Sequence, residues 1–378
     1  MYRSRNLLIL TILLKGVLVY AQSIDNLKLI FQEENTAIYE CAASPISQLA
    51  SFRASGGEID KHYIFDFKSG TTVPTYEQEE SFFGDLSSRN TQNLVWSAVD
   101  GNTAIVKVVE EGRTSIAQVI TSKPGKVDLR PLNLEWLNGQ QLATTTILSW
   151  NKRGMVLLSA FRGEYPLGAE IPAEAYDLSS MLKTLSQKNY NPNPRVRELH
   201  ATVFSKSEFV LSGVGATGMN DLYVTKRFGP YKQLTDTPRI SESWPDVSHD
   251  DKYVIFSHPH AKSENIADLF IIPIDGGKPE LLVQDIFIPV TSYSSCGIYQ
   301  WTKDSKRVVF IKYDSDRKNP LAMVDITSRQ IELISADIVF PSSFAISSDN
   351  KHILVVGAGS SESSEQTSYK AYVGDFHY

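Results

Sequence analysis

Cysteine is scarce: Cys41 and Cys296 are the two in 378 residues. That count excludes a disulfide-framework domain and a cysteine-rich metal module. In an oxidising compartment the pair allows one bridge across 255 residues of chain, and two buried thiols are the alternative. Basic surplus is missing as well. Lys and Arg total 37 against 43 Asp and Glu, a formal charge of −6, and a phosphate-binding surface needs the opposite balance. No apolar run reaches the ~20 residues that span a bilayer. Asn-x-Ser/Thr sequons are absent despite many asparagines, which favours a bacterial over a eukaryotic secreted chain. Signatures of catalysis are also wanting: there is no GxSxG elbow, no HExxH and no Walker loop, and neither cysteine sits in a nucleophile motif.

What is present begins with a leader. Arg3 and Arg5 precede the apolar run Leu7–Leu14, and Val19 and Ala21 place small residues at the −3 and −1 positions of a cleavage site before Gln22. Residues 1–21 are therefore expected to be a signal peptide, with Lys15 interrupting the run and a short anchor as the alternative. Loss of Arg3, Arg5 and Lys15 with the leader takes the formal charge from −6 to −9. The remaining residues, 22–378, read as one domain, periplasmic or extracellular. Seventeen Tyr and seventeen Phe suit strands.

The chain repeats itself. Asp246–Phe256, DVSHDDKYVIF, lies over Gln300–Phe310, QWTKDSKRVVF, at an offset of 54. Ala345–Val355, AISSDNKHILV, follows at an offset of 45. Asp250, Asp304 and Asp349 superpose, as do Lys252, Lys306 and Lys351. Each copy sets a polar turn ahead of a short apolar strand. The second halves recur too: Asp268-Leu-Phe-Ile is mirrored by Asp221-Leu-Tyr-Val 47 residues earlier, and Gly276-Gly277 supplies turn chemistry. A ~40–50-residue repeat of about four strands predicts an all-β protein, a β-propeller of four-stranded blades. Seven segments are counted, or six if a helical insertion belongs to a distorted blade. That insertion is expected at about residues 176–189, where Asp177 can cap and Leu178, Met181, Leu182 and Leu185 fall on one helical face. Blade three is expected to end before it, near Glu170. The strand Leu27–Phe31 is expected to close the ring beside Tyr369–Val373.

The elements Ser248-His-Asp-Asp-Lys252, Thr302-Lys-Asp-Ser-Lys306 and Ser347-Ser-Asp-Asn-Lys351, each followed by an alternating strand, resemble the WD40-like repeat of TolB-type propellers. The likeness runs over roughly Glu198–Phe376, and before it only Trp96–Asn102 carries a similar pattern. Nothing in the chain is patterned to supply the additional α/β domain of TolB. The resemblance implies a propeller, with protein–protein contacts in the bacterial periplasm.

Local motifs divide into scaffold and site candidates. Gly213-Val-Gly-Ala-Thr-Gly218 spells GxGxxG, but a strand rather than a helix is expected after it, so it reads as a turn. Asp314-Ser-Asp316 opens like a calcium loop and lacks the glycine and closing glutamate of one. The recurrence of Asp250, Asp304 and Asp349 speaks for turn-fixing hydrogen bonds, because an active site converges dissimilar groups once. His258-Pro-His260, with His249 nearby, is the candidate for a metal. The expected binding face comprises Trp244, His258, His260, Tyr299 and Trp301, although Trp244 and Trp301 also suit inter-blade packing. The function expected is a non-catalytic scaffold for an envelope protein or peptide, with no cofactor, no nucleic acid and no membrane span after leader removal. The alternative is a carbohydrate-active hydrolase or lyase with a divalent metal at the channel mouth. His249, His258 or His260 beside two carboxylates would favour the enzyme, and a channel lined by serine, backbone and aromatic groups would favour binding.

Overall fold

The computed structural model describes residues 24–32, 36–56, 59–75, 90–97, 100–110, 113–131, 146–150, 155–159, 173–177, 187–190, 202–204, 208–214, 219–226, 231–238, 241–261, 263–289, 298–316, 318–334, 338–359 and 369–377. Among these residues all regular structure is strand. Twenty-eight strands, numbered in chain order, form seven four-stranded antiparallel sheets. Six of them are built from four consecutive strands. The seventh takes three strands from the end of the chain and β1 (Ile24–Phe31) from its start.

The first strand of each sheet is the innermost. These are β2 (Ala37–Ala43), β6 (Asn90–Trp96), β10 (Thr146–Trp150), β14 (Thr202–Phe204), β18 (Ser243–Val247), β22 (Tyr299–Trp301) and β26 (Ile338–Ile346). Neighbouring first strands lie against one another in turn, and β26 returns to β2. Between β22 and β26 the link is a side chain: Gln300 Oε1 accepts from Ile346 N at 2.9 Å. Five of these inner strands pair with a register shift, the mark of bulges that twist the edge nearest the axis.

Hydrophobic cores sit between the sheets. Ile255, Leu269 and Val283 of the fifth sheet pack on Trp301, Val308 and Phe310 of the sixth. Val309, Ile311 and Met323 carry the sixth onto Phe344, Ile353 and Val355 of the seventh. Leu354 and Val356 then meet Phe52 and Tyr63 of the first. A middle strand is thus covered on both faces, which is why Val308–Ile311 and Ile353–Val356 are continuous apolar runs rather than alternating ones.

Ring closure follows the expected pairing. β1 runs antiparallel to β28 (Lys370–Phe376), with Lys28 opposite Val373 and Leu29 opposite Tyr372. Gly374 is required there, because a Cβ on it would stand 2.2 Å from Ile24 Cγ2.

The third sheet departs from expectation. Its outer strands β12 (Ala173–Asp177) and β13 (Gln187–Tyr190) lie beyond Glu170 and pair with each other, Tyr176 opposite Gln187. Both ends of the segment expected as helix are therefore strand, and residues 178–186 lie outside the described residues. The strand β16 (Asn220–Lys226) pairs back on β15 (Glu208–Val214), so Gly213 and Val214 belong to a strand that another strand follows, and 215–218 are not described. Cys41 is buried in β2, while Cys296 lies outside the described residues, and with it the question of a bridge.

Candidate functional site

The turn from the first to the second strand of a sheet is built the same way in several copies. Ser248 Oγ donates to Asp250 Oδ1 (2.7 Å) and accepts from Tyr253 N (3.0 Å); Asp250 Oδ1 accepts from Lys252 N (3.2 Å). Thr302 and Asp304 repeat this with Arg307 N and Lys306 N, and Ser347 and Asp349 repeat it with His352 N and Lys351 N. The residue after each aspartate is left-handed: Asp251, Ser305 and Asn350 have φ of 58°, 60° and 59°. Ser44 and Ser97 occupy the corresponding turns of the first two sheets, and all five hydroxyl residues are buried. The recurrent aspartates are thus turn fixers, as their repetition suggests.

Between hydroxyl and aspartate stands one residue the turn does not constrain: His249, Lys303 and Ser348 in the three aspartate-bearing copies. Pro45 follows Ser44 at the corresponding place of the first sheet, where Ile46 stands instead of an aspartate, and all four line a single cavity of about 250 Å³. Sheets one, five, six and seven contribute its walls, so the cavity lies at the mouth of the space the inner strands enclose. Asp246, Gln300 and Trp301 complete it. The Asp246 carboxyl is pushed up to about 7 by burial, which outweighs the hydrogen bonds from the Val247 and Trp301 backbone. The hydroxyls here are engaged: Ser44 Oγ donates to Gly101 O at 3.1 Å and Ser347 Oγ to Asp349. His249 and Lys303 are exposed and carry the variable chemistry.

The opposite ends of the strands hold a different set. β19 (Tyr253–His260), β20 (Ser263–Pro273) and β21 (Glu280–Phe287) bring His260 between two carboxylates. His260 Nε2 lies 3.1 Å from Asp268 Oδ1, and Nδ1 lies 3.9 Å from Asp285 Oδ1. His258 turns elsewhere: its Nδ1 accepts from Ser241 N at 3.0 Å, and its ring meets the edge of Phe270. Next to Ser241 is Glu242, 0% exposed, whose carboxyl accepts from Thr237 Oγ1. Burial pushes Glu242 up to about 8, with the nearby Asp221 charge adding to the shift. Asp221, also buried, is raised by burial and by Asp236, against hydrogen bonds from Thr237 N and Gln233.

The expected site residues therefore separate. His249 sits in the turn that precedes β19, and His258 and His260 lie at the strand's far end, roughly 20–25 Å away at strand rise, so the three histidines do not converge. Tyr299 and Trp301, offered as binding-face residues, are 1% and 4% exposed. Tyr299 Oη donates to Trp244 O, and Trp301 Nε1 donates to Asp246 O at 3.2 Å. Trp96 of the second sheet does the same, donating from Nε1 to Ala42 O at 3.3 Å. This is a repeated clip between adjacent inner strands, and the rings fill inter-sheet core rather than a presented face. Trp244, at φ 49° in the bulge of β18, packs its ring half-buried on the same core. Of the five candidates, only Trp301 touches the cavity. Sequence reading missed Lys303 and Ser348, although their signal was available: they are the unconstrained letter inside the repeated motif. It missed Pro45 as well, whose turn lacks the motif's aspartate. It also missed Asp285, an acidic residue in an otherwise apolar strand end.

No protein-family model and no curated protein sequence matches the chain. Solved structures do. An oligogalacturonate lyase in complex with manganese matches at TM-score 0.58 and 11% identity, over 94% of this chain and 95% of that one. A puromycin hydrolase matches at TM-score 0.58 and 12% identity, over 88% of this chain, which spans 51% of the hydrolase. TolB from Acinetobacter baumannii matches at TM-score 0.48 and 14% identity, over 80% of this chain and 64% of TolB. The chain is a β-propeller, the fold that its TolB-like repeat implies. At these identities the likeness speaks for fold alone.

Proposed function

We propose that this chain is a secreted, seven-bladed propeller in which each four-stranded sheet is a blade, acting as a non-catalytic scaffold for a protein or peptide in the bacterial envelope. Residues 1–21 are its cleaved leader and 22–378 the working domain. The observation that carries the reading is the cavity at the channel mouth. Corresponding turns of four sheets hold Pro45, His249, Lys303 and Ser348 around it, and in the last three the hydroxyl and the turn aspartate are already bonded to each other. A rigid repeated frame with variable tips suits recognition. Capture from an envelope extract by purified 22–378, with and without EDTA, tests it. The scaffold reading expects a specific protein that survives EDTA.

A second reading, a metal-dependent hydrolase or lyase, draws support from His260 lying near Asp268 and Asp285. It is weakened by position, since that cluster is on the second to fourth strands of one sheet, at the far end from the cavity. Absence of any captured protein, together with EDTA-sensitive turnover of an oligosaccharide, would turn the conclusion to this reading.

A further inference from the structure

We infer that His260, Asp268 and Asp285 form a site for a divalent first-row transition cation, at the rim of the fifth sheet and separate from the channel-mouth cavity. One donor atom from each residue lies within 4.8 Å of the others. A tetrahedral cation with ligands at 2.0–2.2 Å sets its ligand atoms about 3.4 Å apart. The two short approaches, Nε2 to Asp268 Oδ1 at 3.1 Å and Nδ1 to Asp285 Oδ1 at 3.9 Å, use opposite nitrogens of the His260 ring. A cation takes one of the two nitrogens, and the carboxylate on the other side reaches it by side-chain rotation from within the 4.8 Å cluster.

The donors stand on three successive strands and are individually held. His260 ends β19 where the pairing slips from Pro259–Ala267 to His260–Ser263. Asp268 Oδ1 accepts from Asp285 N at 3.1 Å. Asp285 takes the left-handed φ of 55°, and its carbonyl accepts from Tyr313 N of the next sheet at 3.0 Å. Independent of this triad, Asn265 in the same slipped segment keeps a buried Oδ1 with no hydrogen-bond partner. The segment therefore holds an acceptor still to be satisfied, as well as three converging ligands.

Donor chemistry selects the ion. Two carboxylates and a neutral imidazole bring a charge of −2 and a nitrogen, which suits Zn²⁺ above Ca²⁺. His260 and Asp285 keep partial exposure, so the remaining coordination positions open to solvent. Bound there, the cation ties the β19–β20 hairpin to β21, a staple across the outer part of the blade.

Calorimetric titration of chelator-stripped 22–378 with ZnCl₂ tests this. One saturable equivalent is expected, undisturbed by excess Ca²⁺, with a higher melting temperature in Zn²⁺. Asp268→Asn and His260→Gln should each weaken it about 10-fold or more. His258→Gln should leave it unchanged. Both ligand variants should melt like the wild type in EDTA, which separates lost binding from lost folding. Failure of the wild type to take up one equivalent would reduce the cluster to an ion pair and overturn the inference. So would uptake that persists at full strength in both ligand variants.

Discussion

The two ends of the sheets are built on opposite principles. At the channel-mouth end one device recurs: a buried hydroxyl, an aspartate and a left-handed residue, copied through Ser248, Thr302 and Ser347. At the other end Asp221 and Asp268 recur at one place in the repeat but hold different partners, Thr237 N and Gln233 for the first and His260 and Asp285 N for the second, and Glu242, His258, His260 and Asp285 stand beside them in unlike surroundings. Repetition marks what the fold needs in each of these sheets. Singular residues, including the one free letter inside each repeated turn, are where a partner or an ion is told apart from others.

The largest test of that division is Trp301→Ala. If the indole is an inter-sheet clip, urea unfolding should show a loss of about 3–5 kcal/mol. A loss below ~0.5 kcal/mol would mean a presented side chain after all. Thr302→Val follows. It strips the buried hydroxyl that accepts from Arg307 N and donates to Asp304, and should cost about 1–3 kcal/mol in the same assay.

The far end predicts a pH effect that adds to the one from the raised Asp246 carboxyl at the cavity. Glu242 ordinarily titrates near 4.5, and in the fold it is pushed up to about 8. Between those values the native state keeps a proton that the unfolded chain has released. Raising the pH across this window therefore disfavours the native state. Melting temperature should fall from pH 5 to pH 8, and Glu242→Gln should flatten the fall and stabilise the protein at pH 8. An unchanged slope in that variant would show that Glu242 is not the group responsible. The smallest effect is expected from Lys303→Ala, an exposed letter within the turn, which should move stability by no more than about 0.5 kcal/mol while reducing partner capture.

Much of this architecture was legible in the residues because repeats expose it. The offset between Asp250 and Asp304 predicted not only blades but the bonding of each turn, and Leu27–Phe31 announced its pairing with the end of the chain. The third sheet was less legible. A helix is expected from about 176 to 189, yet Tyr176 and Asp177 at one end and Gln187–Asn189 at the other are paired strand, because sheet pairing outweighs a local preference at those ends. Leu178, Met181, Leu182 and Leu185 lie outside the described residues. The site was the least legible part. Aromatic residues invite a reading as ligand platforms, and here Tyr299 and Trp301 are drawn inward by the surface they bury. The convergence of Pro45, His249, Lys303 and Ser348 joins blades up to 303 residues apart, and no local pattern announces which ends of which strands meet.

The most direct measurement is a side-by-side capture from envelope extract by wild-type 22–378, Ser348→Trp and Asp268→Asn. Ser348→Trp fills the channel-mouth cavity, and Asp268→Asn alters only the far rim. The account predicts that the captured protein is lost with Ser348→Trp and retained with Asp268→Asn. Retention with the filled cavity, or loss with the rim variant alone, would contradict it.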